Sequence, residues 1–197
     1  MEDTRPETGI KGIKMGGDGA AIDPSFPNLV IERSGENLLA CYQCQKCSAG
    51  CPVAYAMDLL PNQIIRMVQF GFREKVLTSH TIWICASCYT CSVRCPNDID
   101  IAKIMDTLRQ VALDSEIKPA ERDIPVFHSV FLDSIKSKGR IHELGLIWQY
   151  KIKTRDFMKD AALGWKMVKK GKIKLLPSKF GGGREIKGIF SRHEKGK

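Results

Sequence analysis

Cys41-x2-Cys44-x2-Cys47-x3-Cys51-Pro52 is followed by a second copy of the same phrase, Cys85-x2-Cys88-x2-Cys91-x3-Cys95-Pro96. The two copies use all eight cysteines of the chain, so none remains for a disulfide or a nucleophile. A spacing of two residues gathers three thiolates on one tight loop, where they can hold three corners of a cubane, while the cysteine before proline points away. In two-cluster ferredoxins that fourth cysteine ligates the other cluster. The pattern therefore predicts one 4Fe-4S cluster on Cys41, Cys44, Cys47 and Cys95 and a second on Cys85, Cys88, Cys91 and Cys51. A chain built this way is expected to carry electrons.

Other uses of cysteine fit less well. Structural zinc sites pair one knuckle with a distant second knuckle rather than packing three cysteines at this spacing with a fourth before proline. Disulfides suit an even cysteine count in a small secreted protein, but the start Met1-Glu2-Asp3-Thr4-Arg5 lacks the charged lead and apolar core of a signal peptide. That points to the reducing cytoplasm. A c-type haem needs His directly after a C-x-x-C pair, whereas Gln45 and Tyr89 follow Cys44 and Cys88.

The cysteines occupy only residues 41 to 95 of a 197-residue chain, so much of it is not needed to hold iron. No apolar stretch approaches the eighteen or so residues of a membrane span, and the run from Ile141 to Tyr150 is short and broken by His142 and Glu143. Charge divides the chain: residues 1 to 116 carry 11 basic and 14 acidic side chains, and residues 117 to 197 carry 20 basic and 8 acidic. A basic tail suits nucleic acid, anionic lipid or an acidic protein surface, and also a solvated face with no partner. No nucleic-acid motif accompanies it, so nucleic acid is not expected.

Residues 1 to 23 show no sustained apolar period. Gly17 and Gly19 begin a dinucleotide fingerprint, but Ile22 stands at the third glycine position and no strand precedes them. Leu29 to Ile31 suggest a short strand, and Ser34 the cap of a short helix leading to Cys41. Pro61, followed by Ile64, Ile65, Met67 and Val68 with Gly71 as a stop, predicts a helix of about three turns. A second helix follows Pro96, capped by Asp98 or Asp100, with Ile101, Ile104, Met105, Leu108, Val111 and Ala112 on one face. Phe127, Val130, Phe131 and Ile135 predict a third helix ending at Gly139, and residues 155 to 170 a fourth, with Phe157, Ala161, Leu163, Trp165 and Val168. The aromatics on these two faces are expected to be core, with cover for a partner as the other possibility. The end, from Gly181-Gly182-Gly183, reads as an arm that orders on contact. Tyr42, Trp83 and Tyr89 are candidates to shield the sulfurs from water. His80, His128, His142 and His193 are scattered without ligand-like spacing, and no catalytic residue is expected.

The sequence resembles the C subunits of heterodisulfide reductases. The resemblance rests on the Cys-Tyr-Gln-Cys opening, on Leu60-Pro61 leading into Ile64-Ile65-Arg66, and on Trp83 two residues before the second run. The segment around Gly139-Arg140 and the long basic carboxyl-terminal extension add to it. It implies a mainly α chain: a flexible lead over residues 1–24, an alpha-helical ferredoxin domain with two 4Fe-4S clusters over 25–116, and a helical extension with a basic arm over 117–197. It also implies a multisubunit oxidoreductase of methanogenesis. A flavin-containing A subunit would split electron pairs, this chain would relay single electrons, and a catalytic B subunit with non-cubane iron-sulfur clusters would reduce the coenzyme M and coenzyme B heterodisulfide. A hydrogenase or formate dehydrogenase is implied in the larger assembly. The chain has no adjacent Cys-Cys pair of the kind that builds non-cubane clusters, so the disulfide chemistry is expected elsewhere. A relay component of another soluble or quinone-linked oxidoreductase is the alternative.

Overall fold

Phe26, Val30 and Ser34 are buried at successive fourth positions, and that spacing makes residues 26–34 helical where Leu29 to Ile31 suggest a strand. The computed structural model describes residues 21–115, 117–155, 161–171 and 182–195. Helix α1 (Phe26–Ser34) carries Pro27 in its first turn, where the missing N–H has no intrahelical partner to lose. Ser34 caps no following helix. It closes α1 instead, its hydroxyl donating to the Val30 carbonyl at 2.6 Å. A 3-10 turn at Leu38–Ala40 then delivers the chain to Cys41.

The rest of the first unit is a doubled pattern. Each cysteine run forms one short helix, α2 (Lys46–Ala49) in the first. Helix α3 (Pro61–Gln69) follows, with Pro61 in its first turn and the Gln63 side chain accepting the Leu60 N–H at 2.9 Å. Ile64, Ile65, Met67 and Val68 are buried as their spacing predicts. Gly71 ends this segment at φ 75, and a Cβ there would run into the Asp23 carbonyl. Helices α4 (Arg73–Leu77) and α5 (Thr81–Ile84) lead to the second run, whose own short helix is α6 (Thr90–Val93). Helix α7 (Ile101–Asp114) completes the repeat, with the Asp100 side chain accepting the Lys103 N–H at 3.1 Å. Its predicted face is buried, and α1, α4, α5 and α6 pack against it. Truncating a side chain at its centre, as in Leu108→Ala, removes contacts worth about 2–5 kcal/mol.

The chain divides into two compact units, Met1–Ala120 and Glu121–Lys197. In the second, α8 (Asp123–Lys138) stops at Gly139 with φ 76, as its sequence predicts. Helix α9 (Glu143–Thr154), which the sequence does not announce, folds back along α8. The Phe127 ring meets Tyr150 edge-on at 5.9 Å, and His142 Nδ1 accepts the Gly145 N–H at the start of α9. The helix expected over residues 155 to 170 is described only from Ala161. Arg155 takes a left-handed conformation that ends α9, and α10 spans Ala161–Lys169, with Phe157 outside the described residues. Its aromatic face is not core, because Trp165 is 63% exposed, as is Trp148 of α9 at 64%. The expected carboxyl-terminal arm is helical from Gly183: α11 (Gly183–Lys195) packs against α8, with Ile186 and Phe190, four residues apart, half-buried and Ile189 exposed. The architecture is all helical among the described residues, and none of these helices is long and apolar enough to cross a membrane. Residues 1–20, including the Gly17 and Gly19 segment, lie outside the description.

Candidate metal centre

Two recesses lie between the short helices α2 and α6 and the long helices α3 and α7. One is ringed by Cys41, Cys44, Cys47 and Cys95, together with Gln43, Asn62, Ile65 and Ile99. The other is ringed by Cys51, Cys85, Cys88 and Cys91, together with Val53, Met57, Thr90 and Met105. Each recess thus takes three cysteines from one run and the fourth from the other. Among the described residues no group of three His, Cys, Asp or Glu side chains is placed to hold a single metal ion.

The local backbone explains how a short loop presents three sulfurs inward. Gln43 and Gln45 in the first run take φ 64, and Ser87 and Tyr89 in the second take φ 49 and 60. Left-handed residues in a tight turn cost energy, of order 1–3 kcal/mol each, and they shape concavities lined by backbone N–H groups that suit an anionic guest. The same two positions are strained in both repeats, 44 residues apart.

Two further pairs of residues fix the loops, and sequence reasoning missed both. Ser48, directly after Cys47, donates to Asn62 Oδ1 at 2.6 Å and accepts the Asn62 N–H at 3.0 Å. Ser92, directly after Cys91, donates to Asp100 Oδ1 at 2.6 Å and accepts the Ala102 N–H at 3.3 Å. The repeated Cys-Ser dipeptide is the signal that could have found them. Gln69 on α3 and Arg109 on α7 reach back to carbonyls at the start of their runs. Nothing in their sequence surroundings marks them.

The thiols sit in contrasting environments. Burial pushes Cys47 and Cys51 up and Cys91 up to about 11, whereas the Thr90 hydroxyl beside Cys88 pulls that thiol down. Buried thiols with no cationic side chain lining their recess stay protonated unless a metal supplies the charge, and a coordinating thiol is deprotonated outright. Gln43 Nε2 donates to Cys41 Sγ at 3.4 Å, and Asn62 Nδ2 holds the Gln43 carbonyl oxygen at 3.2 Å. The donor set, soft, all-sulfur and held by strained loops, fits an iron–sulfur group.

Of the three proposed shields only Trp83 is buried, at 5% exposed, and its indole nitrogen finds no partner among the described residues. Tyr42 and Tyr89 are 63% and 52% exposed. Tyr42 still reaches the first recess, with its hydroxyl hydrogen-bonded to Cys44.

A family model described as a 4Fe-4S dicluster domain matches residues 37–99. Among curated relatives, the C2 iron-sulfur subunit of the CoB–CoM heterodisulfide reductase of Methanocaldococcus jannaschii is 38% identical over 99 residues, covering 46% of this chain and 53% of that protein. The C subunit of the H2:CoB-CoM heterodisulfide,ferredoxin reductase of Methanothermobacter marburgensis is 29% identical over 107 residues, covering 54% of this chain and 58% of that protein. The C subunit of the ferredoxin:CoB-CoM heterodisulfide reductase of Methanosarcina mazei is 33% identical over 123 residues, covering 59% of this chain and 75% of that protein. The match thus spans little more than half the length of the first two relatives.

Proposed function

The chain belongs to the family of heterodisulfide reductase C subunits, and we propose that it works there as a single-electron relay with two 4Fe-4S clusters. Electrons would arrive from a flavin-containing A subunit and leave to a B subunit whose non-cubane clusters reduce the coenzyme M and coenzyme B heterodisulfide. Cys41, Cys44, Cys47 and Cys95 would hold one cluster, and Cys85, Cys88, Cys91 and Cys51 the other. The observation that carries this reading is the sharing of cysteines between runs, so that each recess has four thiols of which one comes from the other repeat.

A bound 4Fe-4S group supplies a store for one electron at a time. The protein does the rest. Eight thiolates would fill every corner that two cubanes offer, which would leave no open coordination site and no free thiol to attack a disulfide. The α2 and α6 helices pack against each other, and this keeps the two recesses side by side. Apolar walls from α3 and α7, with Ile65 on one recess and Met105 on the other, exclude water from the inner edges. Cys44 and Cys88 are exposed, so each recess has an outer edge at which a partner can exchange electrons. In this reading the chain is itself non-catalytic and works in the reducing cytoplasm.

The test is turnover with and without partners. Anaerobically purified chain, reduced by a strong one-electron donor, should hold its electrons when heterodisulfide is added and release them only when the catalytic partner is present. Reoxidation by heterodisulfide in the chain alone, free of contaminating partner, contradicts the relay assignment.

A further inference from the structure

Gln69 and Arg109 hold equivalent places in the two repeats. Gln69 Nε2 donates to the carbonyls of Leu38 at 2.9 Å and Cys41 at 3.4 Å. Arg109 donates from Nε to the Ile82 carbonyl at 2.5 Å and from Nη2 to the Cys85 carbonyl at 2.6 Å. Leu38 and Ile82, like Cys41 and Cys85, are 44 residues apart. Each side chain therefore reaches back from the long helix of its repeat and clamps the same two carbonyls at the start of the cysteine run. The clamps differ in charge. The Arg109 side chain is only 14% exposed, and its Nη1 donates further to the Ser87 hydroxyl at 3.3 Å. Its carboxylate neighbour, Asp106 at 3.7 Å, is 59% exposed.

We propose that Arg109 sets the order of the two reduction potentials, making the cluster held by Cys51, Cys85, Cys88 and Cys91 the more readily reduced of the pair. The proposal rests on the two-cluster reading above. Reduction adds one negative charge to a cluster, and a cation held nearby in a poorly solvated site stabilises the reduced form. Gln69, doing the same structural work, adds no charge to the other side. Other groups bear on the balance. The Tyr42 hydroxyl is hydrogen-bonded to Cys44 in the first recess, and the Arg94 guanidinium packs on Gly50, so that this charge lies by a cysteine of each recess and favours neither. The Gln43 amide on Cys41 Sγ favours reduction in the first recess, but a neutral amide bond is about half as strong as a charged one, and Thr90 beside Cys88 is its counterpart in the second. Asp106 opposes Arg109 from solvent, where water and salt weaken its effect. The charge of Arg109 wins. When a one-electron reductant gives the chain a single electron, the Cys85 side takes it and the Cys41 side stays oxidised, with no bond or proton changed.

The experiment is a dithionite titration of the full, anaerobically purified chain followed by electron paramagnetic resonance, with Cys51→Ser and Cys95→Ser used to assign each signal to a recess. Arg109→Gln copies the neutral clamp of the first repeat and should shift the midpoint of the Cys85 cluster to lower potential while the other stays in place. Arg109→Lys, which keeps the charge, should stay near the wild-type value. Gln69→Arg should shift the Cys41 cluster upward, and this variant carries the test if Arg109→Gln does not fold. Equal shifts in the Gln and Lys variants, or unmoved midpoints in Arg109→Gln and Gln69→Arg, overturn the proposal. Iron analysis separates the two levels: about eight irons in the wild-type chain sustain the two-cluster reading whatever Arg109 does, and fewer clusters overturn that reading instead.

Discussion

Ser48 and Ser92 make the same connection in the two repeats: each follows the third cysteine of its run, and each accepts a backbone N–H from the first turn of the long helix that comes next, Asn62 for Ser48 and Ala102 for Ser92. Those N–H groups belong to the four at a helix start that have no partner within the helix. The serines satisfy them and tie each sulfur loop to a rigid element.

Replacing either serine by alanine leaves a half-buried N–H and a side-chain acceptor without their partner, at a cost of about 1–3 kcal/mol. Ser48→Ala should hasten iron loss from the recess that contains Cys47, and Ser92→Ala from the one that contains Cys91. Bleaching of the visible absorbance under a chelator, with the surviving cluster identified by paramagnetic resonance, measures this. Equal loss from both recesses in each variant contradicts it.

Asp58 anchors the segment that leads to the second run. Burial alone would raise its carboxyl, but hydrogen bonds from the Thr81 hydroxyl and the N–H groups of His80, Thr81 and Leu59 outweigh burial and hold it below the usual 3.8. A depressed folded-state value means that the stabilisation is present above the unfolded pKa and is lost as pH falls through the folded one. Asp58→Asn should lower stability at neutral pH by about 1–3 kcal/mol, and the gap from wild type should close below about pH 4. Thermal melts of the anaerobic protein across that range decide, and a gap that does not change with pH refutes the linkage.

The two kinds of information that position the site differ in how far they reach along the chain. Cysteine spacing, the Pro61 start and Gly71 stop of α3, and the Asp100 cap of α7 are local features, and all are legible in the sequence. Helix α1 is not, because the window Leu29 to Ile31 is apolar throughout, and its period emerges only when Phe26 and Ser34 are included. The exposure of Tyr42 and Tyr89 is hidden too, because closeness to cysteine in sequence says nothing about how much of a ring a left-handed turn leaves to solvent. Glycines suggest a loose arm at the carboxyl end and mask the apolar period of α11. Gln69 and Arg109 act across separations of 24 to 31 residues, so only the folded chain pairs them with their carbonyls.

In the proposed reading, the basic carboxyl-terminal part is expected to dock onto partner proteins. Residues 156 to 197 carry 12 basic and 4 acidic side chains, and no cysteine lies beyond Cys95. Deleting them should leave the iron content nearly unchanged and weaken association with partner proteins by about tenfold or more at low salt, an effect that shrinks as ionic strength rises. Binding measured by anaerobic pull-down across a salt series tests this. Undiminished binding by the truncated chain leaves the extension without that role.

The sharing of cysteines between runs is the centre of the account, and a single substitution tests it most directly. Paramagnetic resonance of reduced Cys51→Ser should show the cluster of Cys85, Cys88 and Cys91 altered or lost and the cluster of Cys41, Cys44, Cys47 and Cys95 intact, although residue 51 belongs to the first run. Damage confined instead to the cluster of Cys41, Cys44 and Cys47 would contradict it.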